Sequence, residues 1–149
     1  MKKYFDRFKT LKYQKDGKLP IDIPLRILWI DEDVIKGHAL GNSMRKSLGA
    51  MGVVPKNVSI TYSDQESALD ELLGSPYSMI ILDHDSYKGV SQGISTLKEI
   101  RNVDGDIPII YTTGMPSELK NDFVKENVEE IMATHQIPTR LPDLIDKYM

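Results

Sequence analysis

Met79-Ile80-Ile81-Leu82-Asp83-His84-Asp85 decides the fold. Four apolar residues end abruptly in acids. A continuous apolar run of this length reads as a strand buried on both faces, as in a parallel sheet. In open α/β sheets ligands sit just beyond the carboxyl ends of the strands, so Asp83 is expected at the mouth of a site. Leu25-Arg26-Ile27-Leu28-Trp29-Ile30 runs into Asp31-Glu32-Asp33 in the same way. Two strands delivering carboxylates to one edge make a cluster of like charge, costly unless a cation, a proton or phosphoryl chemistry relieves it.

Outward from these two strands the chain alternates. Leu40, Met44, Leu48 and Met51 form a helical stripe, and Val58–Tyr62 a short strand. Ser63-Asp64-Gln65-Glu66 has the capping-box pattern, with Ser63 as N-cap of a helix buried through Ala68, Leu69, Leu72 and Leu73 and stopped by Gly74 and Pro76. Beyond Asp83, Ile94, Leu97, Ile100 and Val103 predict a helix, Asp104-Gly105 a turn, and Ile107–Thr112 a fourth strand. Pro116-Ser117-Glu118 suits a helix start with Leu119, Phe123 and Val124 inward and Asn127 as a left-handed stop. Ile131–Thr134 reads as a fifth strand, and Leu141, Leu144, Ile145 and Tyr148 as the stripe of a last helix. About five strands alternating with about five helices predict a doubly wound, flavodoxin-like five-stranded parallel sheet over residues 25–149. Its winding order does not follow from periodicity.

Residues 1–24 differ from the rest. Lys2, Lys3, Arg7, Lys9, Lys12, Lys15 and Lys18 stand against Asp6, Asp16 and Asp22, giving a basic N-terminal extension with a short apolar stripe of Tyr4, Phe5, Phe8 and Leu11. It reads as a surface helix or tail, or as a contact for a partner, an acidic surface or a membrane face. Across its 149 residues the chain is 40% hydrophobic and 28% charged, ordinary for one globular domain. The net charge of −3 speaks against a nucleic-acid partner. There is no cysteine, hence no disulfide framework, and no apolar run approaches the roughly 20 residues of a membrane span. A basic start without an apolar signal core fits a cytoplasmic protein.

Oxygen-only donors at the strand ends, with two or three carboxylates, suit a hard cation such as Mg2+. A carboxylate beside such a cation can act as a nucleophile toward phosphorus. Single acids and threonines at strand ends more often cap helices; only their convergence is informative.

With these residues in order, the sequence from about residue 25 onward resembles the CheY-like receiver domain of response regulators. Ile30-Asp31-Glu32 looks like that family's paired acids, Ile80-Ile81-Leu82-Asp83 like the strand ending in the phospho-accepting aspartate, and Gly93 with its helix like the third helix. Ile107-Pro108-Ile109-Ile110-Tyr111-Thr112-Thr113-Gly114 looks like the fourth strand, with Thr113 in the hydroxyl position. The resemblance implies a stand-alone receiver in a two-component phosphorelay: Asp83 takes a phosphoryl group from a sensor histidine kinase or phosphotransfer protein. Mg2+ would be held by Glu32, Asp31 through water, Asp83 and the backbone carbonyl of Asp85. Thr113 would bind a phosphoryl oxygen, and output would pass by contact to an unidentified protein.

The chain departs from the pattern where the family carries a lysine after the fifth strand. That position is Thr134 aligned from the last helix and nearer His135 counted from Thr113; no lysine occurs from residue 126 through 146. A protonated His135 is a possible substitute donor. Ile131 occupies the family's aromatic switch position, and Ser86-Tyr87 stand where Met-Pro is usual. Two alternatives follow. One is a degenerate receiver that docks a partner without phosphorylation. The other is an enzyme, since Asp31-Glu32-Asp33 resembles the motif of haloacid-dehalogenase-type phosphatases, with Asp31 as nucleophile and Asp33 as acid/base; that reading leaves the Asp83 strand unexplained.

Overall fold

The computed structural model describes residues 25–31, 58–85 and 92–149. The basic extension, the helix expected around Leu40–Met51, Glu32, Asp33 and Ser86-Tyr87 lie outside the described residues.

Five strands form one parallel sheet: β1 (Leu25–Ile30), β2 (Val58–Ser63), β3 (Met79–Asp83), β4 (Ile109–Thr113) and β5 (Glu130–Ala133), in the order β2-β1-β3-β4-β5. The order reverses between β1 and β3, where doubly wound sheets open a crevice at their carboxyl edge. The four described α-helices are α1 (Ala68–Gly74), α2 (Gln92–Val103), α3 (Asp122–Asn127) and α4 (Ile137–Tyr148). The expected flavodoxin-like architecture is the one observed.

Alternation along the interior strands splits the core into two layers. Ile27, Trp29, Met79, Ile81 and Ile110 face one side, with Ile137, Leu141, Leu144 and Ile145 of α4 among them. Leu28, Ile30, Ile80, Leu82, Ile109 and Tyr111 face the other, with Ala68 and Leu72 of α1, Leu97 and Ile100 of α2 and Val124 of α3. Every residue of β3 is buried. Full burial of such a side chain stabilises by about 1.5–3 kcal/mol, so this strand anchors both layers.

Several local expectations are corrected. Ser63 is the last residue of β2, not an N-cap. Its carbonyl accepts the amide of Asp31 and its hydroxyl donates to the carbonyl of Asp64, so the capping box does not form. Asp64 Oδ1 instead accepts the Ser67 amide at 2.7 Å ahead of α1. Leu72 is buried, but Leu73 is 60% exposed, because α1 is only seven residues long and turns one edge inward. β4 begins at Ile109, two residues late. The Ile107 amide bonds Asp104 Oδ1 in the turn, and Pro108 has no N–H to offer. Pro116–Glu118 is a single 3-10 turn, and α3 begins after Asn121, whose side chain accepts the Val124 amide at 3.0 Å. Asn127 ends that helix, but Val128 after it is extended, so the stop is not a left-handed cap.

No helix among the described residues is long and apolar enough to cross a membrane.

Candidate functional site at the carboxyl edge of the sheet

The ladder between β1 and β3 ends with Ile30 opposite Leu82, so Asp31 and Asp83 leave neighbouring strands at the same level. Strands in a sheet lie about 4.8 Å apart. Both carboxylates are mostly withdrawn from water, Asp31 at 2% and Asp83 at 9% exposure. Asp83 pairs across β4 with Thr112, which pairs in turn with Met132 of β5. Partners in a parallel ladder present their side chains to one face, so Asp83 and Thr112 share a row. Thr112 is fully buried, and its hydroxyl has no hydrogen-bond partner among the described residues.

The backbone after Asp83 is held closely. The His84 amide donates to the Thr112 carbonyl at 2.8 Å, and the His84 carbonyl accepts the Gly93 amide at 3.1 Å. A Cβ at position 93 would strike the Asp83 carbonyl oxygen and lie 2.7 Å from the Cα of His84. α2 can start here only because Gly93 has no side chain. The same Cβ would meet the Tyr111 hydroxyl at 2.8 Å.

Tyr111 completes this wall. Its hydroxyl is 2.6 Å from Nδ1 of the half-buried His84, and the rings are tilted at 5.6 Å. Burial first, then the charges of Asp83 and Asp85, push the Tyr111 phenol well above its ordinary range, so it stays protonated and can donate to Nδ1. Nothing in the spacing of β4 singled out this pair. The only signal was a polar aromatic at a core position, whose hydroxyl must find a partner when buried.

The remaining expected site residues are spread along the edge. Asp85 is exposed. Thr113 is buried, and its Oγ1 accepts a long bond from the Met115 amide at 3.4 Å. β5 starts at Glu130 and ends at Ala133, the partner of Thr113, so Thr134 is not a strand residue but opens a 3-10 turn through Gln136. Gln136 Oε1 takes the Ala133 amide at 2.8 Å, which draws the chain out of the sheet there. Thr134 is half-buried and His135 is exposed on the turn.

Among the described residues no three acidic or histidine side chains converge into a cation site. The hard oxygen donors at the edge are Asp31, Asp83 and the backbone of Asp85, with Glu32 outside the described residues. That donor set fits Mg2+, which keeps several waters and takes only one or two carboxylates.

No family model and no curated protein matches the chain. Solved structures do. The response regulator receiver domain (CheY-like) from Methylobacillus flagellatus superposes with a TM-score of 0.64 at 12% identity, covering 85% of this chain and 99% of that one. The response regulator TrrA from Thermotoga maritima, in complex with Mg2+-BeF, gives 0.61 at 22% identity, covering 84% and 99%. The receiver domain of a sensor histidine kinase from Pseudomonas aeruginosa, with a magnesium ion in its active-site cleft, gives 0.58 at 20% identity, covering 84% and 97%. The chain thus has the flavodoxin-like fold of the CheY-like response-regulator receiver domains.

Proposed function

We propose that the chain is a receiver of a two-component signalling system, with Asp83 as phosphoryl acceptor. One observation carries the reading: a buried carboxylate ends the central strand beside a second buried carboxylate, Asp31, on the strand across the winding reversal. Structural aspartates do not need this company, and a like-charged pair is tolerated where chemistry relieves it.

In the transfer, an Asp83 carboxylate oxygen attacks the phosphorus of a phosphohistidine on a kinase or phosphotransfer protein. The P–N bond breaks, the imidazole leaves and takes up a proton, and an acyl phosphate forms on Asp83. Glu32, Asp83, the Asp85 carbonyl and, through water, Asp31 would hold Mg2+, which would supply positive charge to offset that of the phosphoryl oxygens. By the resemblance, Thr113 would be the hydroxyl that donates to one of those oxygens. The backbone of Asp83 and His84, held by Thr112 and Gly93, supports a fixed direction of attack. Output is by protein contact, and residues 1–24 are a separate basic extension.

A second reading has its own observation. The residue after β5 is Thr134, where a lysine would supply a charged donor. Charge-assisted hydrogen bonds are roughly twice as strong as neutral ones, so the site as written holds an acyl phosphate weakly. A receiver that docks its partner without phosphorylation follows from that feature. The phosphatase alternative gives Asp83 no role.

Mass measurement after incubation with a small phosphodonor and Mg2+ tests the proposal. One added phosphoryl group, absent in Asp83→Asn, supports it. An unchanged mass with unaltered thermal stability across a millimolar Mg2+ titration favours the docking reading, since an ion that binds only the folded state must raise its stability.

A further inference from the structure

Asp64-Gln65-Glu66 lie between β2 and α1, in the stretch whose sequence has the capping-box pattern. Glu66 is exposed, but Gln65 is only 4% exposed. Its amide has a partner at each end. Nε2 donates to the main-chain carbonyl of Asp83 at 2.9 Å, and Oε1 accepts from the hydroxyl of Thr96 in α2, itself buried. The orientation is fixed by chemistry: a carbonyl can only accept, so the NH2 end faces Asp83 and the oxygen faces the hydroxyl.

The β1–β3 ladder pairs Ile30 with Leu82, and the Asp31 amide donates to the carbonyl of Ser63. A side chain from the β2–α1 turn thus bonds the last carbonyl of β3. One residue further on, Gly93 holds the His84 carbonyl. Two consecutive carbonyls at the site are thus tied to α2, one directly and one through Gln65 and Thr96.

We propose that Gln65 is a positioning residue for Asp83, whose buried amide pins the main chain of the acceptor to Thr96 of α2 and makes the geometry of the site depend on that helix. The inference rests on the reading of Asp83 as acceptor. Gln65 touches no reacting atom; it sets where Asp83 begins.

The test is amide hydrogen exchange on the metal-free chain, paired with phosphoryl incorporation from a small phosphodonor in the presence of Mg2+. In Gln65→Ala the His84 and Gly93 amides should exchange about tenfold faster relative to the Ile81 amide, the effect of losing one buried hydrogen bond, and incorporation should fall by a similar factor. Gln65→Glu should behave like the alanine variant, because an ionised carboxylate cannot donate to the Asp83 carbonyl. Thr96→Ser keeps the hydroxyl and should match the unaltered chain. If His84, Gly93 and Ile81 all accelerate by one common factor, Gln65 only contributes to global stability and the proposal is overturned. If the unaltered chain takes no phosphoryl group, the acceptor reading fails and the exchange ratio alone decides the role of Gln65. Should Gln65→Ala not fold, Thr96→Val, which removes one end of the bridge, must show the selective acceleration or the proposal is lost.

Discussion

Gly93 and Gly114 both follow strands that end at the site, yet their surroundings are opposite. Gly93 sits where a single added carbon would strike the backbone of Asp83 and His84, whereas a Cβ at Gly114 would meet nothing within 4 Å. The β3 end is fixed by main-chain contacts that leave no room for variation. After β5, Thr134 and His135 lie on a short turn. Of the two halves of the edge, the one at Asp83 is closely packed, and the one beyond β4 and β5 carries an uncrowded glycine and a turn without a lysine.

The largest expected effect breaks that contrast directly. Gly93→Ala should destabilise by at least about 3 kcal/mol, or prevent folding, because the obstructing atoms are backbone and cannot rotate away. Gly114→Ala should stay within about 0.5 kcal/mol of the unaltered chain in urea unfolding. Equal losses at both positions would remove the distinction between the two halves.

Next comes the half beyond β4 and β5. Thr134→Lys should raise phosphoryl incorporation about tenfold, by adding one charged donor in place of a neutral hydroxyl. Thr134 directly follows the partner of Thr113, while His135 is exposed one residue further. His135→Lys should therefore gain less, and a larger gain there would shift the register by one.

A smaller effect, of opposite sign, is expected between the halves. The Thr112 hydroxyl is fully buried beside Asp83, without a partner among the described residues. Thr112→Val removes an unsatisfied polar group at nearly constant shape and should raise stability by about 1 kcal/mol in urea unfolding. A loss instead would mean that the hydroxyl has a partner in solution.

The smallest effect is on pH dependence. The Tyr111 phenol is held above its unfolded value, which is about 10. Keeping it neutral therefore stabilises the fold fully below pH 10, and the contribution is lost as pH rises through the higher folded value, where the unfolded chain has released more protons. Tyr77 and Tyr148 are raised as well, chiefly by burial. Tyr111→Phe should flatten the alkaline fall in melting temperature without abolishing it. An unchanged alkaline limb would contradict the burial of this hydroxyl.

The sequence showed most clearly what periodicity and burial determine together. Met79–Asp83 matched its strand to the residue, and Leu97 and Ile100 with the flanking Ile94 and Val103 marked the inward face of α2. Boundaries shifted where a side chain competed for a backbone group: Asp104 took the Ile107 amide ahead of β4, and Gln136 took the Ala133 amide at the end of β5. The site was legible as a set of strand-end carboxylates, because acids after apolar runs stand out. Its supports were not. Gln65 read as part of a capping box and Tyr111 as a residue of the fourth strand, since neither pattern reveals that an amide will bond the end of a neighbouring strand or that a phenol will meet His84.

The central claim is that Asp83 is a phosphoryl acceptor, and intact mass after incubation with a small phosphodonor and Mg2+ tests it most directly. The account predicts a slow gain of one phosphoryl group, lost in Asp83→Asn and increased in Thr134→Lys. No gain in either the unaltered chain or Thr134→Lys, or a gain that persists in Asp83→Asn, would contradict it.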